Sequence, residues 1–234
     1  MKIISLNIWN GRQYSELASF FKKYSSDTDV FCLQEVFSAH NAQVNDANLD
    51  TTDKIKGVLG TSFLTITDDN GLMICFKKEF EVKDWGVAVV FTQGDFKKNL
   101  LWAIFRSEGK ERLVATVHGI WVKDSREDTP ERLQQSEIIK DLLGKYKNNK
   151  ILCGDLNLLP NTKSIKMLED GLTNLVKEYG IQTTRTQLKK HMNQDKEAEE
   201  FADYMFTSPD IKVKDFKIMP EEVSDHFALM VEVE

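Results

Sequence analysis

The sequence predicts a mixed α/β (α+β) fold in which strands outnumber helices. Short runs of β-branched, aromatic and aliphatic residues are bounded by turn signals along the whole chain. Two longer segments show helical periodicity instead, and polar residues able to bind metal recur where the apolar runs end.

In chain order, residues 2–6 form a first apolar run leading straight into Asn7. This opening lacks the longer hydrophobic region and small-residue cleavage site of a signal peptide, which favours a first strand and a cytoplasmic location. Residues 15–24 set Leu17, Phe20, Phe21 and Tyr24 at helical spacing. Strands are expected at 30–33, 72–76, 87–91, 101–105 and 113–117. A second amphipathic helix, 130–146, starts behind Thr129-Pro130 and carries Leu133, Ile138, Leu142, Leu143 and Tyr146. After a strand at 151–153, a shorter helix follows Pro160-Asn161-Thr162, carries Ile165, Met167 and Leu168, and ends at Gly171. Strands at 204–207 and 227–233 complete the set, the last alternating Phe227, Leu229, Val231 and Val233 on one face. Residues 38–53 and 182–200 lack strong periodicity and read as surface loops with helical turns at most.

With 234 residues, 41% of them hydrophobic and 29% charged, the chain can bury one sizeable core, and residues 1–234 read as a single domain. The longest apolar runs, 86–91 and 99–105, fall far short of the roughly 20 residues that span a membrane. The formal net charge of −6 argues against tight, non-specific duplex binding, but not against phosphate chemistry through a metal. Cys32, Cys75 and Cys153 sit in apolar stretches with neither disulfide nor zinc spacing, and read as buried, reduced thiols.

Chemistry concentrates at strand ends. Asn7 follows residues 3–6, Gln34-Glu35 follow 30–33, His118 follows 113–117, and Asp155 and Asn157 follow 151–153 after Gly154; Ala202-Asp203 and Ser224-Asp225-His226 complete the pattern. Each piece alone has a plain structural reading. Glu35 could end a strand in solvent, Asp155 and Asn157 could form an Asx-turn, His118 could be a core histidine, and Asp225 could cap a turn.

Together, Leu6-Asn7-Ile8-Trp9-Asn10, Leu33-Gln34-Glu35-Val36, Val117-His118, Gly154-Asp155-Leu156-Asn157, Ala202-Asp203-Tyr204 and Ser224-Asp225-His226 resemble, in order and interval, the endonuclease/exonuclease/phosphatase superfamily. Its members include deoxyribonuclease I, abasic-site endonucleases, neutral sphingomyelinases and inositol polyphosphate 5-phosphatases. The resemblance spans the chain, and Gly-Asp-Leu-Asn and Ser-Asp-His are its most specific pieces. It implies a four-layer, deoxyribonuclease I-like sandwich, two mainly antiparallel sheets packed face to face with helices outside. It also implies hydrolysis of a phosphoester by in-line attack of an activated water.

In that reading Glu35, helped by Asn7 and Asp225, supplies hard oxygen ligands for Mg²⁺ or Mn²⁺. Asp155 orients or deprotonates the water, and Asn157 donates to the phosphoryl oxygens as charge builds. His226, oriented by Asp203 as an imidazolium, meets the scissile phosphate, with His118 opposite. The abasic-site branch is disfavoured, because Val36 and Phe37 follow Glu35 where that branch carries Lys, and His118 stands where it carries Tyr. Trp9 occupies a position where some members place a carboxylate, which favours one metal over two. A phosphodiester of nucleic acid or a nucleotide-like ester is the favoured substrate. A phosphomonoester or a lipid or inositol head group is the alternative, and a catalytically inactive binding module the reading from another class. Arg106 reads as a solvated strand end, Arg132 as a structural ion-pair partner, and Arg185, Lys189 and Lys190 as part of a solvated loop.

Overall fold

The structure is a computed structural model, and it describes residues 1–38, 50–123, 125–147, 149–188 and 200–234. The strands are β1 (Lys2–Asn7), β2 (Val30–Gln34), β3 (Phe63–Thr67), β4 (Leu72–Lys77), β5 (Glu81–Gln93), β6 (Phe96–Ser107), β7 (Lys110–His118), β8 (Lys150–Asp155), β9 (Thr173–Asn174), β10 (Asp203–Thr207), β11 (Val213–Ile218) and β12 (Leu229–Val233). The helices are α1 (Tyr14–Tyr24), α2 (Thr51–Leu59), α3 (Pro130–Gly144), α4 (Lys163–Glu169) and α5 (Leu175–Glu178).

Two six-stranded sheets form, one ordered β11-β12-β1-β2-β4-β3 and the other β5-β6-β7-β8-β10-β9. Each contains a single parallel pair at its centre, β1 with β2 and β7 with β8, and is otherwise antiparallel. Parallel neighbours need a crossover, and α1 and α3 supply it. The expected deoxyribonuclease I-like sandwich is thus the observed one.

Burial on both faces explains the near-continuous apolar runs in the central strands. Ile3, Cys32, Ile74, Leu101 and Val114 belong to the larger core, which also takes in Ile139 and Leu143 of α3. Alternate residues Ile4, Leu6, Phe31 and Leu33 join Leu17, Phe20 and Phe21 of α1 and Ile55 of α2 in a second cluster. Leu229, Val231 and Val233 fall in the first cluster and Met230 in the second, as the period of two requires.

The α3 boundary lies at Gly144 rather than Tyr146, whose N–H caps Leu143 O at 3.1 Å. β12 begins at Leu229, two residues later than expected. Residues 51–53, expected in a loop, open α2, because Asp50 accepts from Asp53 N at 3.1 Å as an N-cap. Of that loop and of 182–200, residues 39–49 and 189–199 lie outside the described residues. All three cysteines are buried and free. No helix among the described residues is long and apolar enough to cross a membrane.

Candidate active site

Period-two alternation carries polar residues into the seam between the sheets. Ser5 and Asn7 share a face of β1, and Asn7 lies in register with Gln34 of β2. In the other sheet His118 is in register with Asp155, and Asp155 with Asp203. Gln34 Nε2 donates to Thr116 Oγ1 at 2.7 Å and to Ser5 Oγ at 3.3 Å, tying the sheets together beneath the site. Gly154 lets the strands come this close: its φ is +136°, and a Cβ there would stand 2.1 Å from Val117 O.

Above this tie lies a cleft of about 250 Å³, lined by residues of both sheets, among them Glu35, His118, Asp155, Asn157, Asp225 and His226. Asn7 Nδ2 donates to Glu35 Oε1 at 3.1 Å and to Asp155 Oδ2 at 3.0 Å. His118 Nε2 stands 3.7 Å from Asp155 Oδ2 and 3.9 Å from Glu35 Oε1. His226 Nδ1 donates to Asp203 Oδ2 at 2.7 Å, and its Nε2 lies 3.8 Å from Asp155 Oδ2. Asn157 N–H donates to Asp155 Oδ1 at 2.9 Å, while its buried side-chain Nδ2 has no hydrogen-bond partner among the described residues. A buried donor left this way costs stability, so a ligand acceptor in the cleft would relieve it.

Six non-glycine residues among those described have positive φ, and four of them, Trp9, Asn10, Glu35 and Asn157, line this cleft. Such conformations cost about 1–3 kcal/mol each and persist where surrounding structure enforces them. Here Gly71 O accepts from Val36 N at 2.9 Å, Asn7 Oδ1 accepts from Trp9 N at 3.0 Å, and Ala202 O accepts from Asn157 N at 3.2 Å.

The electrostatics divide the cleft. Burial, reinforced by the charges of Asp225 and Asp155 and opposed by the Asn7 hydrogen bond, pushes Glu35 up to about 7. Burial also pushes His118 down to about 3, helped by nearby Lys98. Lys98 is itself held below the usual lysine range by burial, against the pull of Asp155 and Glu35. Burial would raise Asp155, but His226, His118 and Arg185 together hold it below the ordinary carboxylate range. Asp203 is pushed well up by burial and by Asp155. Crowded carboxylates of this kind favour a bound cation, which would lower their mutual repulsion.

Against known proteins, the profile of the Endonuclease/Exonuclease/phosphatase family matches residues 4–226. The chain belongs to this family. Members are phosphoester hydrolases, and the family's enzymes are generally dependent on divalent metal. The fold is similar to that of D. rerio TDP2 complexed with single strand DNA product, at 19% identity and a TM-score of 0.77, covering 100% of this chain and 98% of that one. A mannosyl-6-phosphatase from Bacteroides thetaiotaomicron is similar at 19% identity and a TM-score of 0.74, with 100% and 99% covered. Truncated Caenorhabditis elegans TDP2 gives 19% identity and a TM-score of 0.76 over 99% and 96%. No curated protein matches the chain.

Among the described residues of this family member, Asp155, Asp203 and His226 form a group of possible metal ligands whose ligand atoms lie within 4.8 Å of one another. That group could hold an ion, yet Asp203 and His226 are already hydrogen-bonded to each other. Glu35 has a freer carboxylate, with one amide donor on Oε1. The other two expected ligands have competing partners. Asn7 turns its amide N–H groups toward Glu35 and Asp155, and its Oδ1 accepts from Trp9 N–H. Asp225 Oδ2 accepts from Arg185 Nη2 at 2.8 Å.

Arg185 overturns an expectation. It is buried, lines the cleft, and contacts His226 Nε2 as well as Asp225. Residues 184–186 pair with 225–227, since Thr186 N donates to Asp225 O at 3.1 Å and Phe227 N to Thr184 O at 2.9 Å. With Nδ1 against Asp203 and Nε2 against Arg185, the ring is held on both sides, and Arg185 adds a positive charge beside it. Lys189 and Lys190 lie outside the described residues. Arg132 is buried as well, but it donates to the carbonyls of Ile120, Ser125 and Glu127 instead of forming the expected ion pair. Arg106 is exposed, 4.0 Å from Glu111. Lys98, Trp121 and Arg126 also line the cleft and carried no local signal in the sequence.

Proposed function

We propose that residues 1–234 form one catalytic domain that hydrolyses a phosphodiester in the manner of a nuclease, using Mg²⁺ or Mn²⁺. The observation that carries this reading is the convergence of Glu35, His118, Asp155, Asn157 and His226 from both sheets on one cleft. A phosphoester resists attack because its oxygens are charged, so the site must neutralise charge, activate water and receive the developing negative oxygens. Glu35 would be the principal metal ligand, with Asp225 and Asn7 completing the oxygen set once released from Arg185 and Trp9. When bound, the ion supplies charge neutralisation to the phosphoryl group.

The remaining work falls to the chain. Asp155, held anionic by its neighbours, accepts the proton of the attacking water. Asn157 Nδ2, buried without a partner among the described residues, donates to a phosphoryl oxygen. Asp203 orients His226, which with Arg185 forms one wall of the phosphate site. His118, neutral in the working pH range, faces it from the other sheet.

A second reading, phosphomonoester hydrolysis, is favoured by the three cations Lys98, Arg126 and Arg185 around the cleft, which suit a dianion. The two similar folds named above, one crystallised with a DNA product and one a sugar phosphatase, accommodate either reading. The test is a Mn²⁺ and Mg²⁺ titration against single-stranded and duplex DNA and against inositol and sugar monophosphates, with Glu35→Ala as control. Diester cleavage lost in the variant supports the first reading. Cleavage of monoesters alone replaces it with the second.

A further inference from the structure

Trp121 is 56% exposed, yet it is not at a loose loop tip. Its neighbours are pinned on both sides. Ile120 N–H donates to Gln135 Oε1 at 3.2 Å, and Ile120 O accepts from Arg132 Nε at 3.2 Å. Val122 O accepts from Arg126 Nη1 at 3.2 Å, and Leu159 N–H donates to Arg126 O at 3.0 Å. Further along, Asp128 accepts from Lys163 N at 2.7 Å and Ser164 N at 2.9 Å at the start of α4. The buried guanidinium of Arg132, spread over three carbonyls, therefore anchors the backbone that carries this exposed indole at the wall of the cleft that contains Asp155 and His226. Trp9, from the other sheet, lines the same cleft but is buried.

Resting on the phosphodiesterase reading above, we infer that Trp121 is a specificity-determining platform that stacks an unpaired nucleobase next to the scissile phosphate. An exposed indole on a pinned backbone offers a flat, weakly polar face, which suits any base without hydrogen-bond readout. A sugar ring would need several hydroxyl partners besides, and most polar residues lining the cleft belong to the phosphate and metal constellation. A base inside a duplex has both faces covered by its neighbours, so the occupant is single-stranded or a nucleotide ester. The chain's net charge of −6 agrees, since it offers no bulk attraction to duplex.

The test compares an oligothymidylate with an oligomer of equal length and charge whose sugars carry no bases. Cleavage by the wild type, Trp121→Phe and Trp121→Ala is measured, and binding of both oligomers is measured separately with Asp155→Asn, alone and combined with Trp121→Ala. The expected result is a roughly tenfold loss of kcat/KM and of binding for the base-bearing oligomer in Trp121→Ala, about the worth of one stacked base. Trp121→Phe should retain most of both, and the base-free oligomer should be indifferent to Trp121. Equal losses on both oligomers, or no preference for bases in the wild type, would overturn the inference while leaving the phosphodiesterase reading intact. Absence of turnover together with Trp121-dependent, base-dependent binding would do the reverse. Turnover of a sugar phosphate that alone depends on Trp121 would also overturn it.

Discussion

The two flanks of the cleft are built on opposite rules. Around His226 every polar group has a protein partner: Asp203 on Nδ1, Arg185 on Nε2, and Arg185 again on Asp225. Around Glu35 the carboxylate has a single amide donor among the described residues, burial pushes it up to about 7, and the neighbouring histidine is neutral. A network completed by protein groups fixes geometry in advance, whereas a carboxylate short of positive charge is suited to receive an ion. On the proposed mechanism, the difference suits one flank to orientation and the other to a metal.

On the proposed mechanism Asp155, between the flanks, serves both, so its loss should have the largest effect. Asp155→Asn is expected to lower kcat about 10³-fold in a steady-state assay without unfolding the protein, as removal of a general base does. Glu35→Ala should lower activity by about 10²-fold or more. Part of that loss should return as Mn²⁺ concentration is raised, which is the mark of the metal flank. Asp203→Asn should cost about tenfold or somewhat more through misorientation of His226, with no such rescue. Rescue of Asp203→Asn by metal would break the comparison. Arg185→Ala leaves Asp225 buried without that partner and should destabilise the fold by about 3 kcal/mol in urea titration, whereas Arg185→Lys should recover part of it. The smallest effect concerns chemistry remote from both flanks. Cys32, Cys75 and Cys153 should not react with a thiol reagent until the protein is unfolded, because all three are buried.

How much of this was legible in the sequence follows the range of the interactions. The central strands were visible because each repeats its apolar pattern locally, and the site residues because Gly154-Asp155-Leu156-Asn157 and Ser224-Asp225-His226 keep their order along the chain. β3 and β11 escaped, being half-exposed strands with mixed composition. The hairpin of β5 and β6 proved much longer than its apolar centres, since exposed ends such as Glu81 and Lys97 are held by pairing rather than burial. Arg185 was misread for the same reason. Its sequence neighbours include charged Lys189 and Lys190, while its partners Asp225 and His226 arrive only when distant segments pair. Lys98 reaches the cleft from the exposed start of β6, and nothing beside it in the sequence marks it as different from Lys97.

The most direct test of the division between flanks is thermal unfolding with and without saturating Mn²⁺, for the wild type, Glu35→Ala and Asp203→Asn. An ion that binds only the folded state at about a hundred times its Kd should raise the melting temperature by roughly 5 °C or more. The account predicts that rise in the wild type and in Asp203→Asn, and its loss in Glu35→Ala. A rise kept by Glu35→Ala but lost by Asp203→Asn would place the ion among Asp155, Asp203 and His226 and contradict it.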